Sequence, residues 1–380
     1  RVTSENIDAP KAGKCQEDPM SVINPMSMIE KAAAAAAADL KSKYRNRVIA
    51  PTRKAARKPL RFELFHAGAS VCSHKVRMVL AEKDIAYMSH DLNLPGEARG
   101  VPDNYRPSYV RLRLLGRNGA PLVAGYTGQS SVATEGFDPC VVPTLVDHRE
   151  GVVITDSRRI CLYLDEQSEP STSLAPLALM EGILDASDIV DQTPHVAMLY
   201  GGNPDKDRRP GLIARGLKGI QDVKVSILQA QMEKVLGEPE MVEAYRAKIA
   251  KEEASKSIVR DPKKMRAIMP KFDVALDAFQ LMLSKSGGPW IFGKNFTLAD
   301  VMWSVSLYRM KWLGIADLWE GKPDRRDIAA YADRAFARPS FKAAVIKWPN
   351  ANTPSPNIPE SNTFGANLAF VYRHIRGLVS

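Results

Sequence analysis

Between Arg61 and Leu92 the chain alternates apolar runs and breakers in the pattern of a strand, a helix and a second strand. Phe62-Glu-Leu-Phe-His66 reads as a short strand, Ala67-Gly-Ala-Ser70 as a small-residue loop, and about Cys72 to Lys83 as a helix. In that helix Val76, Val79, Leu80 and the stem of Lys83 recur at helical spacing, so one face is buried, and Lys75, Arg77 and Glu82 are expected to stay wet. Ala86 to Leu92 supplies the next strand. The joint matters chemically as well. It delivers Cys72 to the first turn of a helix, where backbone N–H groups without helical partners favour a thiolate. An inert buried thiol is the competing expectation, but Ser70, Ser73, His74 and Lys75 make the surroundings polar.

Downstream, Val141-Val-Pro-Thr-Leu-Val-Asp147 and Val152-Val-Ile-Thr155 flank the charged turn His148-Arg-Glu-Gly151 in a hairpin pattern, and Asp156-Ser157 then caps an amphipathic helix carrying Ile160, Leu162, Tyr163 and Leu164. Residues 95–139 form a long insertion rich in Gly, Pro, Arg and Ser, of a length that is functional or disordered in compact domains. After Ser168 long helical runs take over. Thr297 to Asp300 is a capping-box arrangement with Phe296 placed as a hydrophobic staple. The helix it opens, with Val301, Trp303, Val305, Leu307 and Trp312, is too apolar for a surface, so its aromatics are expected in the core. The expected division is a basic Ala-rich extension over 1–60, an α/β unit over 61–168, an all-helical region over 169–349 and a peripheral tail over 350–380.

Composition narrows the function classes. The net charge of +10 resembles that of a nucleic-acid binder, but residues 1–60 hold 12 Lys/Arg against 6 Asp/Glu and the remainder 41 against 37. The excess follows a seven-Ala run, Ala32 to Ala38, and has no interleaved aromatic residues for base stacking. A solvated tail or a short Ala-rich helix is expected there, with no specific nucleic-acid or membrane partner. Apolar stretches stay short of the roughly 18 residues of a membrane span, and the chain opens on Arg1 with no apolar block of a secretory signal. Cys15, Cys72, Cys140 and Cys161 show neither a CxxC pair nor zinc-type spacing with the six histidines. No metal and a reducing, cytoplasmic setting are expected. Cys140 and Cys161 read as packing residues.

Taken in order, the strand, the helix-start thiol, the Val-Pro turn before a strand, the Asp-Ser helix opening and the helical region resemble the glutathione transferase superfamily. The resemblance implies a thioredoxin-like α/β N-terminal domain, an all-α C-terminal domain, glutathione as cosubstrate and reductant, and a homodimer. Val142-Pro143 matches the cis-proline loop that pairs with the cysteinyl part of glutathione, and Asp156-Ser157 matches the pair that holds its γ-glutamyl group at a helix start. Thr297-Leu-Ala-Asp300 matches the capping box of the helical domain. Within the superfamily, Ser70-Val-Cys-Ser73 with Lys75 and Arg77 is similar to the segment of reductive dehalogenases acting on chlorinated hydroquinones. Tyr109-Val-Arg-Leu-Arg113, Tyr126 to Val132, Glu135 to Pro139, Val142 to His148, and Thr193-Pro-His-Val196 with Leu199-Tyr-Gly201 and Asp207-Arg-Arg-Pro210 carry the same likeness.

That likeness implies removal of chloride from a chlorohydroquinone through a glutathionyl conjugate and a Cys72-glutathione mixed disulfide, with Ser70 bonding the glutathione thiolate. It places Thr193, His195 and Tyr200 at the acceptor pocket, with a satisfied structural imidazole the preferred reading of His195. Arg111, Arg113, Arg208 and Arg209 are available to attract anions, and Lys75 and Arg77 to reach a carboxylate or favour the Cys72 thiolate, although exposed charge explains all six. Two alternatives stay open: a glutathione transferase or aryl-ether lyase that stops at the thioether, and a non-catalytic module using the same fold as a scaffold.

Overall fold

Strand residues that alternate in sequence divide between two apolar clusters on opposite faces of one sheet. The computed structural model describes residues 25–348 except 58, 95–99, 129–131, 170–171 and 210, together with 355, 357 and 358. Strands β1 (Arg47–Ile49), β2 (Phe62–His66), β3 (Tyr87–Asp91), β4 (Thr144–Asp147) and β5 (Val152–Thr155) lie in the order β1-β3-β2-β4-β5. Only β2 and β3 pair in parallel, joined by the crossover helix α2 (Val71–Glu82). Leu64, Leu145 and Ile154 pack in one cluster with Val76, Val79 and Leu80 of α2 and with Ile160 and Leu164 of α5 (Ser157–Glu166). Phe65, Val146 and Val153 pack in the other, with Tyr109 and Leu112 of α3 (Pro107–Leu114).

The basic extension is not a tail over its described part. Helix α1 (Pro25–Asp39) buries Ile29, Ala33 and Ala36, followed by Leu40, against α3 and the sheet, and β1 adds an antiparallel strand to β3. Ile29, Ala33 and Ala36 follow helical spacing, and the small side chains of the alanine run let the helix lie close to its neighbours. Asp103 ties the extension down by accepting from Lys41 N at 2.9 Å and Ser42 N at 3.2 Å. Cys15 and nearly all of the 350–380 tail fall outside the described residues.

The insertion is likewise structured. It holds α3 and the one-turn α4 (Val132–Glu135), and its Tyr105, Val110, Leu114, Phe137 and Cys140 share a core with Leu228, Met241, Ala244 and Tyr245 of the hairpin α8 (Gly211–Met232) and α9 (Pro239–Val259). Lys248 and Lys251 from α9 meet Asp138 at 2.8 and 3.1 Å beneath this core, and Lys224 and Lys248 meet Glu252 at 2.9 and 2.8 Å. Farther along the insertion, Gly128 takes φ +86°, and a side chain there would sit 3.1 Å from the Ala197 Cβ, so the strap lies directly on α7 (His195–Gly201).

The other helices are α6 (Met180–Asp191), α10 (Pro262–Ile268), α11 (Pro270–Lys285), α12 (Leu298–Trp312) and α13 (Arg326–Ala337). Thr297 and Asp300 form the expected capping box, with Thr297 N donating to Asp300 Oδ2 at 2.8 Å. Trp303 stacks on Phe279 with ring centroids 3.9 Å apart, inside the core. Helix α12 also lies against α2, as does the π-helical turn Lys342–Ile346. That cover corrects one expectation: Lys75 and Arg77 are buried, because the side of α2 away from the sheet meets helices rather than water. Among the described residues no helix is long and apolar enough to cross a membrane, and no group of three or more His, Cys, Asp or Glu side chains is arranged to hold a metal ion.

Candidate active site

Sheet register brings three separate segments to one end of the molecule. Phe65 stands opposite Thr144, and Thr144 opposite Thr155. Adjacent strands lie about 4.8 Å apart, so the loop leaving β2, the turn entering β4 and the turn leaving β5 are neighbours. The first carries Ser70 and Cys72, the second Val142 and Pro143, the third Asp156 and Ser157.

The loop Ala67-Gly-Ala-Ser70 is fastened at every residue. Ala67 N donates to Ser73 Oγ at 3.1 Å, and Gly68 N donates to Asp91 Oδ1 at 2.7 Å. The Gly68 carbonyl accepts from His74 Nε2 at 2.8 Å and Arg77 Nη2 at 2.9 Å, and the Ala67 carbonyl from Arg77 Nη1 at 3.0 Å. Arg309 of α12 donates to the Ala69 carbonyl. Burial, then the nearby cations Arg77 and Arg309, hold the His74 pKa well below its ordinary value, so this imidazole is neutral and donates. Ser70 closes the set as N-cap of α2, accepting from Ser73 N at 3.3 Å. Cys72 follows two residues later as a half-buried thiol in the first turn.

The second segment is held from behind. The Val142–Pro143 peptide bond is cis. Tyr109 donates its hydroxyl to the Val141 carbonyl at 2.7 Å, and Arg113 donates to the Pro143 carbonyl at 2.7 Å and to Thr144 Oγ1 at 3.0 Å. Arg113 also bonds the Asp138 carbonyl at 2.8 Å and is buried, so it braces the turn rather than attracting an anion from solvent. In the third segment Asp156 takes φ +71° and ψ 126°, a conformation that costs a non-glycine residue about 1–3 kcal/mol. Its carboxylate offsets part of this by capping α5, accepting from Arg158 N at 3.0 Å and Arg159 N at 3.2 Å. Ser157 is buried beside it.

The expected acceptor-side residues divide. Thr193 and His195 follow directly on α6, whose Asp191 pairs with Lys75 of α2 at 2.9 Å, so they stand on the side of the Cys72 helix. Thr193 Oγ1 donates to the Val190 carbonyl at 2.6 Å. His195 Nε2 lies 2.7 Å from Ser306 Oγ, its ring meets Phe272 edge-on, and burial followed by Arg309 and Lys75 pushes its pKa down to about 3. Tyr200 carries Lys224 Nζ 3.7 Å from its ring centroid. Arg208 pairs with Asp317 at 3.1 Å, Arg209 with Asp207 at 2.6 Å, and Arg111 with Glu238 at 2.6 Å. Of the bracing residues, Asp91 and Arg309 were not singled out from the sequence, and Tyr109 entered only as part of the Tyr109–Arg113 likeness; a buried arginine or aspartate gives no local signal until its distant partners are known.

With this geometry in view, comparison with known proteins is direct. Residues 69–167 match the glutathione S-transferase N-terminal domain family. Two 2,5-dichlorohydroquinone reductive dechlorinases, from two strains of Sphingobium indicum, are each 45% identical to the chain over 301 residues, spanning 78% of this chain and 86% of theirs. The chain belongs to the glutathione S-transferase family, in the branch that holds these two dechlorinases. A tetrachloro-p-hydroquinone reductive dehalogenase from Sphingobium chlorophenolicum is 24% identical over 74% of this chain and 95% of its own. Among solved structures, a beta-etherase from Sphingobium sp. strain SYK-6 aligns with a TM-score of 0.49 at 16% identity, covering 75% of this chain and 98% of that one.

Proposed function

We propose that this protein is a glutathione-dependent reductive dehalogenase acting on a chlorinated hydroquinone. The observation that carries the reading is a thiol, rather than a hydroxyl, at Cys72 on the first turn of α2, in a chain 45% identical to two reductive dechlorinases. Glutathione lies across the three segments at the end of the sheet. The backbone around Val142 and Pro143 pairs with its cysteinyl part, and Asp156, Ser157 and the start of α5 take its γ-glutamyl carboxylate. A serine hydroxyl has one donor and two acceptor sites, so Ser70 caps Ser73 N and still donates to the glutathione sulfur.

The glutathione thiolate attacks the chlorine-bearing carbon of the ketonic tautomer of the ring; a C–S bond forms and chloride leaves. Cys72 thiolate then attacks the glutathione sulfur of the thioether. An S–S bond forms, the ring carbon departs with the C–S electron pair and takes a proton, and the dechlorinated hydroquinone is released. A second glutathione thiolate displaces Cys72 from the mixed disulfide, giving oxidised glutathione. Two glutathiones thus supply the two electrons that replace chloride with hydrogen. Neutral His195 serves the acceptor side by packing rather than by proton transfer.

Incubation with glutathione and 2,5-dichlorohydroquinone, following chloride, oxidised glutathione and the mass of Cys72, tests the reading. Equal yields of chloride and oxidised glutathione are expected, with Cys72→Ser accumulating the glutathionyl ring. A stable thioether from the unmodified enzyme without oxidised glutathione overturns it in favour of a transferase or lyase; failure to bind glutathione favours a scaffold. The three described cysteines are thiols, which fits the reducing, cytoplasmic setting included in the proposal. A homodimer is included too. An open groove of about 480 Å³ along β5, lined by Ile29, Leu115, Val152, Leu162 and Tyr163, offers apolar surface for it, and light scattering of the purified chain decides.

A further inference from the structure

Lys75 lies three residues after Cys72 on α2, and side chains at this spacing share one helix face with Cβ atoms about 5–6 Å apart. A buried lysine is uncommon unless it is paired. Here the partner is Asp191 at the last turn of α6: Lys75 Nζ lies 2.9 Å from Asp191 Oδ1, with the two side chains 5% and 18% exposed. Asp191 Oδ2 in turn lies 3.9 Å from Arg158 Nη1, and Arg158 directly follows the Asp156-Ser157 helix opening. The pair therefore links the thiol to the carboxylate-binding end of the site.

We infer that Lys75 and Asp191 together set the nucleophilicity of Cys72: the ammonium of Lys75 stabilises the thiolate, and Asp191 holds that ammonium in place while moderating its field. Lys75 acts through the sulfur and is a positioning residue. The inference rests on the proposed role of Cys72 as the group that attacks glutathione sulfur, and it extends to the resolving step, in which Cys72 leaves as a thiolate.

The electrostatics agree with the geometry. Burial lowers the Lys75 pKa, but Asp191 outweighs it and the net displacement is upward, so the side chain is charged throughout the working range. Cys161 of α5 is pushed the other way: burial raises its pKa, against a lowering influence of Lys75, and it stays a thiol. The remaining ionisable neighbours are His74 on α2, Asp156 and Arg158 at the start of α5, Asp188 on α6, His195 on α7 and Arg309 on α12. His74 and His195 are neutral. Arg158 is paired with Asp188, and Arg309 is directed to the Ala69 carbonyl. Arg77, the other buried cation of the helix, is spent on His66 and on the carbonyls of Ala67, Gly68 and Ala344.

Alkylation reads the thiolate without reference to any substrate. The full chain is treated with iodoacetamide at pH 6, where an ordinary cysteine is mostly protonated, and the Cys72 peptide is followed by mass. Lys75→Met is expected to slow alkylation about tenfold and Lys75→Arg to restore it to within about twofold. Asp191→Asn is expected to speed it about threefold, and the Lys75→Met/Asp191→Asn double variant to return towards the wild-type rate. Breaking one ion pair from its two ends must move the rate in opposite directions. A common loss of packing would move both the same way, and that outcome, or an unchanged Lys75→Met, overturns the inference. Buried Cys140 and Cys161 report folding, since their alkylation would mark an opened chain. Should Asp191→Asn open the structure, Lys75→Met against Lys75→Arg still decides, provided Cys140 and Cys161 stay unalkylated and so show both variants folded. Loss of dehalogenation with these rates intact would fault the substrate assignment and leave the pair standing.

Discussion

The end of the sheet and the α7–α9 region are both dense in polar side chains, but they use them in opposite ways. At the sheet end His74, Arg77, Asp91, Arg113 and Arg309 point at backbone and immobilise it, so the loops of the proposed glutathione site are held from behind. Around α8 and α9 the polar side chains point at one another, as in the Lys224–Glu252–Lys248–Asp138 chain. The first arrangement builds a site from backbone and spends side chains as struts. The second satisfies buried charge. Tyr200, turned to Lys224, and Arg208, turned to Asp317, belong to the second kind.

If that contrast holds, the largest single effect comes from a strut. Arg77 donates to Ala344 O at 2.9 Å, His66 Nδ1 at 3.1 Å, Ala67 O at 3.0 Å and Gly68 O at 2.9 Å, and its guanidinium lies 4.4 Å from the Trp348 ring. Arg77→Met removes four hydrogen bonds at once, with only the Gly68 carbonyl keeping a second donor in His74, and is expected to cost about 3–5 kcal/mol. Urea denaturation measures it. Arg208→Met, which removes a half-exposed pair, should cost no more than about 0.5 kcal/mol. Equal losses in the two variants would erase the distinction between strut and surface pair.

Arg113→Leu ranks next. It frees the Pro143 and Asp138 carbonyls and Thr144 Oγ1, at an expected cost of about 2–3 kcal/mol. On the proposal that the turn it braces takes the cysteinyl part of glutathione, the KM for glutathione should rise about tenfold, equivalent to about 1.4 kcal/mol. Stability lost with KM unchanged would separate Arg113 from the site and confine it to the core.

The same contrast decides what could be read from sequence. Backbone-built parts announce themselves locally: the small-residue loop before Cys72, the Val-Pro turn and the Asp-Ser helix start each occupy two to five consecutive residues whose geometry follows from their own chemistry. The struts do not. Arg77 reads as one of several polar positions on a helix until Ala344, 267 residues away, supplies a carbonyl. Residues 25–57 stay open for a related reason. An alanine run followed by basic residues reads as a solvated tail or a short Ala-rich helix; the helix forms, and only the sheet and α3 show that Ala33 and Ala36 are an apolar stripe. The insertion hid its helix because Pro107 and the arginines of α3 match a loop in composition, while Tyr109 and Leu112 are buried one turn apart.

Acid should unload a side-chain network on the far face of the sheet over the same range as Glu252 of α9, where Lys248 and Lys224 outweigh burial and bring the carboxyl down to about 2. Glu63 accepts from His90 Nε2 at 2.5 Å and His148 Nε2 at 2.8 Å. Burial raises its pKa, but the two histidines outweigh it and bring the carboxyl down to about 2 from 4.5. A depressed carboxyl contributes stability that is present above the unfolded value and lost as pH falls through the folded one. The contribution, about 2 kcal/mol after allowance for partial exposure, should therefore disappear between roughly pH 4.5 and 2. His148 works with the opposite sign: its pKa is raised, by the Glu63 hydrogen bond first, so its contribution is complete below pH 6.5 and fades as pH rises through the folded value. Thermal unfolding against pH should show both flanks in the wild type, and a smaller acid flank with the His148 flank lost in Glu63→Gln. An unchanged acid limb in Glu63→Gln would move the source of acid sensitivity elsewhere.

The smallest expected effect bears most directly on the comparison, because His195 stands between the two regions. Its Nε2 is engaged with Ser306, its Nδ1 is buried without a partner among the described residues, and burial followed by Arg309 and Lys75 holds it neutral. An imidazole with a pKa near 3 gives no proton at neutral pH, so its contribution is one hydrogen bond and the contact with Phe272. His195→Asn should cost about 1 kcal/mol in stability and lower kcat less than about threefold, with the pH–rate profile unmoved. A hundredfold fall in kcat with a displaced profile would make His195 a group that meets the phenolic oxygen. The acceptor side would then be built from side chains after all, and the sheet end alone from backbone.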